Sequence, residues 1–336
     1  SNTMASDPET PFRMLPIAPP LSTYDAFRAR AGDVFVASWP KSGTTFCQAI
    51  VAHLLAPDRS TWAHVSEVTP FFDVAAHFDG TEPSAEVRAG FERLLGGARR
   101  AWNTHLLWSL IPKHADARYV YVVRDGPDAV VSFYHHFRNQ RGDAGTFDET
   151  LSVQDFARQV LAEELPYGSW AAHACNWAHA AGDARVLVLR YEAMRRDLPS
   201  AVAAIAAHLG VSASQARLDE VARRCSFDAM RADEARYEPR SVEWAPGFRF
   251  LRRGQTGDGQ RTLDAESLAA MRQDLDRRAA ALTRPQFDAL FGEAGPGVSN
   301  HKPEQRAGGT AGDEQPLLSD QQPAQTTLDV VVDEIV

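Results

Sequence analysis

Three separate stretches of the chain contain residue types that bind phosphate in proteins. The first is residues 40–45, which read PKSGTT and lie between a short apolar run and a segment with helical spacing. The first N–H groups of a helix have no internal partner, and the helix dipole favours an anion there. We predict that an anion binds here through Lys41, Ser42, Gly43, Thr44 and Thr45. Alternatively, Ser42, Gly43 and Thr44 only cap the helix, but that interpretation explains neither Lys41 nor Pro40.

The other two stretches each combine arginine with a second kind of donor. Arg124 ends an apolar run and Ser132 follows about two helical turns later, so both side chains can reach one phosphate group. Arg252 and Arg253 precede Gly254, and such a group can bind phosphate with side chains and backbone N–H groups together. A solvated pair of charges is the simpler interpretation of the two arginines.

A histidine with the properties of a general base follows another apolar run. His105 comes directly after Asn103 and Thr104, and a neutral imidazole can accept a proton near neutral pH. The group His173, Cys175 and His179 does not predict a metal site, because His173 points away from the other two on a helix. A lone histidine is more often structural, so residue type alone leaves the role of His105 open; we predict that the protein binds no metal.

The spacing of apolar residues indicates how these side chains are positioned. Four β-branched apolar runs have the composition of buried strands: residues 34–39, 101–105, 118–124 and 185–191. Helical segments separate them, one over residues 44–55 and another from Pro127. This alternation predicts an α/β fold with an open parallel β-sheet and flanking helices. Ligands bind at the carboxyl ends of the strands in such sheets, where the candidate residues fall.

Composition limits the class of protein. The chain has 336 residues and a net charge of −9, which argues against a general nucleic-acid binder. No apolar run is long enough to span a membrane, and the three cysteines are typical of a reducing compartment, so we predict a cytoplasmic protein. We predict an expression scar at residues 1–3, one domain at 4–293 and an acidic low-complexity tail at 294–336. The oligomeric state is left open.

Taken in order, these motifs resemble those of the cytosolic sulfotransferases. Residues 39–46 resemble the family's YPKSGTTW loop, with Trp39 for Tyr and Phe46 for Trp; that loop binds the 5′-phosphosulfate of 3′-phosphoadenosine 5′-phosphosulfate (PAPS). Residues 124–136 resemble RNPKDVAVSYYHF, and residues 252–258 resemble RKGxxGD, although Gly259 stands where a Trp is usual. The resemblance implies a P-loop-like sulfotransferase fold, PAPS as co-substrate and the desulfonated nucleotide PAP as product.

The resemblance also assigns roles to individual residues. Tyr191 corresponds to the Tyr of YEDMKKD at the adenine, and Ser226 and Phe227 match SFxxM, so that Phe46 and Phe227 enclose the base. His105 matches the general base of KTHLPxxLLP, with Asn103 in place of Lys and Leu107 in place of Pro. The predicted catalytic set is His105, Lys41 and Ser132, with Lys41 stabilising the departing oxygen.

The predicted reaction is in-line transfer of a sulfonate from PAPS to a hydroxyl of a small, apolar or aromatic acceptor. Aromatic residues cluster where the family builds its acceptor pocket, and we expect half of them to be core. They are Phe71, Phe72, Phe78, Phe133, Phe137, Tyr167, Trp170, Tyr237, Trp244, Phe248 and Phe250. The Ala- and Arg-rich composition favours a bacterial protein, and for a bacterial member the resemblance implies an enzyme that tailors natural products.

Three alternatives remain open. The first is a dehydratase that uses the sulfonate as a leaving group, which product mass would distinguish. The second is a small-molecule kinase, although Lys41 precedes Gly43 whereas the nucleoside triphosphate loop has the order G-K-[ST]. The third is a non-catalytic nucleotide-binding protein, which only Asn103 favours.

Overall fold

The computed structural model describes residues 27–141, 150–165, 167–240, 243–252, 254 and 256–292. The predicted expression scar, the predicted tail, both predicted domain limits and Arg253 lie outside the described residues.

A four-stranded parallel sheet forms the centre of the fold. The described residues form eight strands in all, four of which belong to this sheet. In chain order they are β1 (Asp33–Ser38), β2 (Phe78–Asp79), β3 (Glu82–Pro83), β4 (Arg100–Thr104), β5 (Arg118–Val123), β6 (Gln140–Arg141), β7 (Val186–Arg190) and β8 (Glu243–Trp244). The central sheet has the order β4-β1-β5-β7, and each neighbouring pair is parallel. The remaining strands form two short antiparallel ribbons, β2 with β3 and β6 with β8.

Helices cover both faces of the central sheet. They are α1 (Thr44–Leu55), α2 (Ala85–Leu95), α3 (Gly126–Arg138), α4 (Val153–Leu161), α5 (Trp170–Ala178), α6 (Tyr191–Arg196), α7 (Leu198–His208), α8 (Gln215–Arg224), α9 (Phe227–Ala232), α10 (Asp258–Thr262), α11 (Ala265–Ala279) and α12 (Arg284–Phe291). No helix among the described residues is long and apolar enough to cross a membrane.

Successive apolar side chains of the central strands point to opposite faces of the sheet, and this divides the core into two parts. Phe35 on β1 and Tyr121 on β5 belong to the part that contains residues of α3, α4, α5 and α11. Val36 and Val122, their neighbours along the same strands, belong to the part that contains residues of α1, α7 and α8. Successive side chains of a strand point to opposite faces, so a sheet buried on both faces reads as a continuous apolar run.

The sequence predicted this architecture closely. All four predicted strands are present with ends within a residue or two, and the predicted helix at residues 44–55 is α1. Every strand of the central sheet is followed at its carboxyl end by a candidate residue: the loop with Lys41 after β1, His105 after β4, Arg124 after β5 and Tyr191 after β7. The prediction of an open parallel sheet with flanking helices is confirmed.

Candidate active site

The loop between β1 and α1 presents backbone N–H groups at the start of a helix. Gly43 is the N-cap of α1, has φ 108°, and no side chain caps the helix. A Cβ atom at Gly43 would lie 2.7 Å from the Tyr191 ring, so glycine is required both for the backbone angle and for the contact. The backbone N–H groups at the amino end of α1 can therefore bind an anion.

Lys41 is held in an unusual environment. Its φ of 61° is left-handed, which costs a residue with a side chain of the order of 1 kcal/mol. Its Nζ lies 4.1 Å from the centre of the Phe250 ring. Burial, and next the positive charge of Arg124, lower the pKa of Lys41 to about 7. The amine therefore loses much of its charge near neutral pH unless an anion restores it.

Arg124 connects the loop to Tyr191. One guanidinium N–H donates to the backbone oxygen of Lys41 over 3.0 Å, and the guanidinium lies 4.7 Å from the centre of the Tyr191 ring. Its own backbone oxygen accepts a hydrogen bond from the Trp170 indole N–H at 3.1 Å. Arg124 is therefore held at two points: its guanidinium bonds to the loop that contains Lys41, and its backbone oxygen bonds to Trp170 at the start of α5.

The structure brings most of the predicted cofactor-binding residues around one cavity. Its lining contains Lys41, Gly43, Thr44, Thr45, Phe46, Arg124, Ser132, Tyr191, Phe227, Arg252 and Gly254, together with Arg195, Met230, Phe250 and Leu251. The cavity thus combines cationic side chains, the amino end of a helix and four aromatic rings. Such a combination suits a nucleotide that carries more than one anionic group.

Three predicted residues are placed differently. Ser42 is buried beside the cavity without lining it, and its hydroxyl has no hydrogen-bond partner among the described residues. Ser226 also does not line the cavity; its hydroxyl caps α9 by accepting from the N–H of Ala229 at 3.3 Å. Arg253 lies outside the described residues.

The segment after Arg252 is docked on the start of α3. Both oxygens of the Asp128 carboxylate accept backbone N–H groups, from Gly257 and Gly259, each at 2.7 Å. A Cβ atom at Gly259 would lie 2.3 Å from the backbone carbon of Pro127. Gly259 and Pro127 both depart from the family motifs, and the structure shows that the two departures fit each other.

His105 lies at the carboxyl end of β4 and is fully buried. Its Nδ1 is 2.7 Å from the backbone oxygen of Ser38, and a carbonyl oxygen can only accept, so Nδ1 carries the proton. In the neutral ring Nε2 is then the nitrogen with the basic lone pair. The rings of Phe71 and Tyr167 pack edge-on against the imidazole, at 5.5 and 5.0 Å.

Asp73 positions the backbone of His105. Its carboxylate accepts the His105 N–H at 2.9 Å and the Thr104 hydroxyl at 2.5 Å. Burial raises the pKa of Asp73 to about 7, because its effect is larger than that of these hydrogen bonds, which lower the pKa. His173 supports the same loop, because its Nε2 is 2.8 Å from the His105 backbone oxygen. Asn103 is buried and donates to the Thr69 oxygen at 2.7 Å.

The aromatic residues predicted to surround the acceptor divide into two groups. Phe72 and Phe78 pack on Trp102, and Tyr237 lies in the other core, beside His53. By contrast, Phe71 and Tyr167 contact His105, and Phe250 contacts Lys41. Part of the set is therefore core, as we expected.

The sequence pattern missed two residues near the site. Arg195 lines the cavity, and its guanidinium lies 5.0 Å from the centre of the Phe227 ring. It falls in the stretch that resembles YEDMKKD, so that motif contained the signal. Asp73 had no such signal, because a single carboxylate after two aromatic residues has no distinctive spacing.

A family model described as a sulfotransferase domain matches residues 31–283. The chain belongs to the sulfotransferase family. This confirms the predicted enzyme class and the predicted co-substrate, since members of the family take their sulfonate from PAPS. Among the described residues of this sulfotransferase, no group of three or more His, Cys, Asp or Glu side chains could hold a metal ion.

Individual relatives agree with this assignment. The sulfotransferase is 32% identical to sulfotransferase 4A1 of Mus musculus over 207 residues, which cover 59% of this chain and 67% of that protein. It is 29% identical to sulfotransferase 1A1 of Bos taurus over 254 residues, 72% of this chain and 81% of the relative. The solved structure of retinol dehydratase with retinol and PAP shares the fold, with a TM-score of 0.63 and 22% identity over 77% of this chain and 84% of that one.

Proposed function

We propose that this sulfotransferase transfers the sulfonate of PAPS to a hydroxyl of a small, apolar or aromatic acceptor, with His105 as the general base. The observation that supports this most directly is the single cavity lined by Lys41, Arg124 and Tyr191. Charge-assisted donors on one side and aromatic rings on the other suit the anionic groups and the base of a nucleotide. We further propose that the enzyme acts in the cytoplasm.

The residues of the cavity fit PAPS by type and position. We assign the 5′-phosphosulfate to the loop, where Lys41, Thr44 and Thr45 join the N–H groups of α1. The buried Ser42 hydroxyl, without a partner among the described residues, and the missing Cβ of Gly43 both leave this loop suited to an anion.

The other anionic group and the base have separate partners. We assign the 3′-phosphate to Arg124 and Ser132, and to the segment formed by Arg252, Arg253 and Gly254. We assign the adenine to Tyr191, Phe46 and Phe227, with Ser226 holding the start of α9.

Bound PAPS supplies an activated sulfonate and a leaving group that is already a stabilised phosphate. His105 takes the proton of the acceptor hydroxyl on Nε2, since the Ser38 carbonyl fixes the proton on Nδ1. Lys41 stabilises the negative charge that develops on the departing oxygen, and Ser132 holds the same nucleotide in line. Proton transfer and positioning are then the contributions of the protein.

The acceptor is proposed to be apolar because aromatic side chains surround His105 and Lys41. The solved retinol dehydratase complex holds retinol, a largely apolar alcohol, beside PAP. A product whose mass is increased by one sulfonate group would support sulfonation, whereas a product that has lost water would favour the dehydratase alternative.

The replacement His105→Ala tests the proposed base. We expect turnover of a phenolic acceptor to fall by about 100-fold or more, with PAP affinity nearly unchanged, because only the proton acceptor is removed. The measurement is steady-state sulfonation together with calorimetric titration of PAP. His179→Ala, at an exposed position after α5, is the matched control and should keep wild-type turnover. Wild-type turnover in His105→Ala would exclude His105 as the base.

A further inference from the structure

His136 and Trp244 pack against each other at the end of α3, and Gln140 lies opposite Trp244 in the neighbouring ribbon. His136 is only 1% exposed, and its ring centre is 5.1 Å from that of Trp244. Trp244 is paired with Gln140 across the ribbon of β6 and β8. We call His136, Gln140 and Trp244 the polar cluster.

The polar cluster contains four buried nitrogen atoms without hydrogen-bond partners. Both ring nitrogens of His136, the amide nitrogen of Gln140 and the indole nitrogen of Trp244 have none among the described residues. Leaving a buried donor or acceptor unpaired is destabilising, and native proteins pair the great majority of such groups. Four unpaired atoms at one place therefore point to a partner that binds there.

The cluster lies next to the groups that we propose to handle the reacting hydroxyl. The Phe250 ring is 6.0 Å from the rings of both His136 and Trp244, and Lys41 Nζ lies 4.1 Å from the centre of the same ring. Burial, followed by electrostatic interactions with Lys41 and His105, holds the pKa of His136 well below its usual value. His136 is therefore neutral, with one N–H donor and one lone pair.

Packing alone does not explain a histidine at this position. The rings of Phe137, Trp244 and Phe250 surround it. The motif RNPKDVAVSYYHF, which residues 124–136 resemble, ends in Phe at the position of His136. A Phe would fill the same apolar space without burying two unpaired nitrogens.

We propose that the polar cluster binds an oxygen-bearing substituent of the acceptor, distinct from the hydroxyl that is sulfonated; this rests on the proposed function. The cluster offers N–H donors from Trp244, Gln140 and one His136 nitrogen, and a lone pair on the other. That set fits a hydroxyl or carbonyl oxygen and provides no charge to pair with a carboxylate. The acceptor class is thus narrowed to aromatic or apolar molecules with two oxygen functions.

The experiment compares matched acceptors on the intact enzyme with PAPS. One series consists of naphthalenediols in which the second hydroxyl occupies different ring positions. The other consists of the methylnaphthols that carry a methyl group in place of that second hydroxyl. The quantity measured is the ratio of kcat/KM for each diol to kcat/KM for its methyl partner. The variants are His136→Phe and, as a matched control one residue away on α3, His135→Phe.

We expect the wild type to prefer at least one diol by about tenfold or more, because a buried polar site rejects an analogue that cannot pair with it. His136→Phe should lose most of that preference, and His135→Phe should keep it. His136→Phe should also raise the melting temperature of the ligand-free protein by about 2 °C or more, since it removes unpaired buried nitrogens. A structural role for His136 would lower that temperature.

Several results would overturn the inference. These are equal ratios in the wild type and His136→Phe, a wild type that prefers every methylnaphthol, or no turnover of either series while PAP still binds. Titration with PAP separates these failures from a failure of the proposed function, because a wild type that does not bind PAP contradicts the cofactor site itself.

Discussion

At the scale of single residues, Lys41 is the side chain whose properties depend most on its surroundings. Its pKa is lowered to about 7, chiefly by burial and then by Arg124. An anion bound at the loop would favour the charged amine and raise this pKa. Binding of PAP is therefore coupled to the protonation of Lys41, and the sign of the coupling can be measured.

We predict that the protein takes up about one proton for each PAP molecule that binds at pH 8. The Lys41 amine of the free protein is mainly neutral at that pH, whereas the amine beside bound PAP is charged. For the same reason, affinity should fall as pH rises from 7 to 9. The measurement is calorimetric titration in two buffers with different enthalpies of ionisation. Working at pH 8 avoids Asp125, whose pKa is raised to about 6 by burial, and next by the negative charge of Asp128.

Lys41→Met provides the control for this coupling. The variant should bind PAP more weakly and take up no proton at pH 8. The same uptake in Lys41→Met and in the wild type would show that another group titrates and would contradict the role given to Lys41.

Residue types and spacing were enough to predict most of the side chains that line the cavity. They were not enough to predict the backbone conformation or the protonation of those residues. The sequence predicted Lys41 and His105 as functional residues from motifs alone. It could not predict that Lys41 would be held at positive φ against Phe250, or that Ser38 would fix the His105 tautomer. Those properties arise from contacts between residues far apart in the chain.

At the scale of elements, the docking of residues 256–262 on α3 holds one side of the cavity. The Asp128 carboxylate accepts two backbone N–H groups of this segment, and Gly259 lies directly against Pro127. Arg252, which precedes the segment, forms an ion pair with Asp258 and lines the cavity. Movement of the segment would therefore move a cationic partner of the nucleotide.

We predict that Gly259→Ala weakens PAP binding by about tenfold and lowers the melting temperature, because the new Cβ would lie 2.3 Å from backbone that cannot move aside easily. Thermal unfolding and PAP titration measure the two effects. Gly90→Ala within α2 is the control, because its Cβ would approach only the Glu67 oxygen, at 3.5 Å. That control should be neutral or slightly stabilising, since alanine favours helix.

If Gly259→Ala binds PAP as the wild type does, the docked segment does not support the nucleotide site. This contact could not be predicted from the sequence. It showed that Gly126, Pro127 and Gly259 depart from the family motifs, whereas only the structure shows that Gly259 packs against Pro127 and that the Trp170 ring packs against Gly126.

The regular elements were predictable for a physical reason. Strands buried on both faces need continuous apolar runs, and helices that cover them need apolar residues at helical spacing. The short ribbon of β6 and β8 was not predicted, because two-residue strands have no periodicity to detect. That ribbon positions Trp244 and Gln140, so the polar cluster could not be found from the sequence.

At the scale of the whole molecule, an acidic protein surrounds a basic cavity. The chain has a net charge of −9, yet Lys41, Arg124, Arg195 and Arg252 line one cavity at the carboxyl edge of the sheet. Net charge therefore says little about the ligand of a buried site, whereas the local arrangement of cations and aromatic rings predicts an anionic nucleotide.

The central claim is that this cavity binds a nucleotide through a 3′-phosphate as well as a 5′-group. Calorimetric titration with PAP, with AMP and ATP–magnesium as comparisons, tests it most directly. We predict that PAP binds at least about tenfold more tightly than AMP, because in the proposed site Arg124 and Ser132 donate charge-assisted hydrogen bonds to the 3′-phosphate. Arg124→Ala should remove most of that difference. Equal affinity for PAP and AMP, or preference for ATP–magnesium, would contradict the assignment of the site.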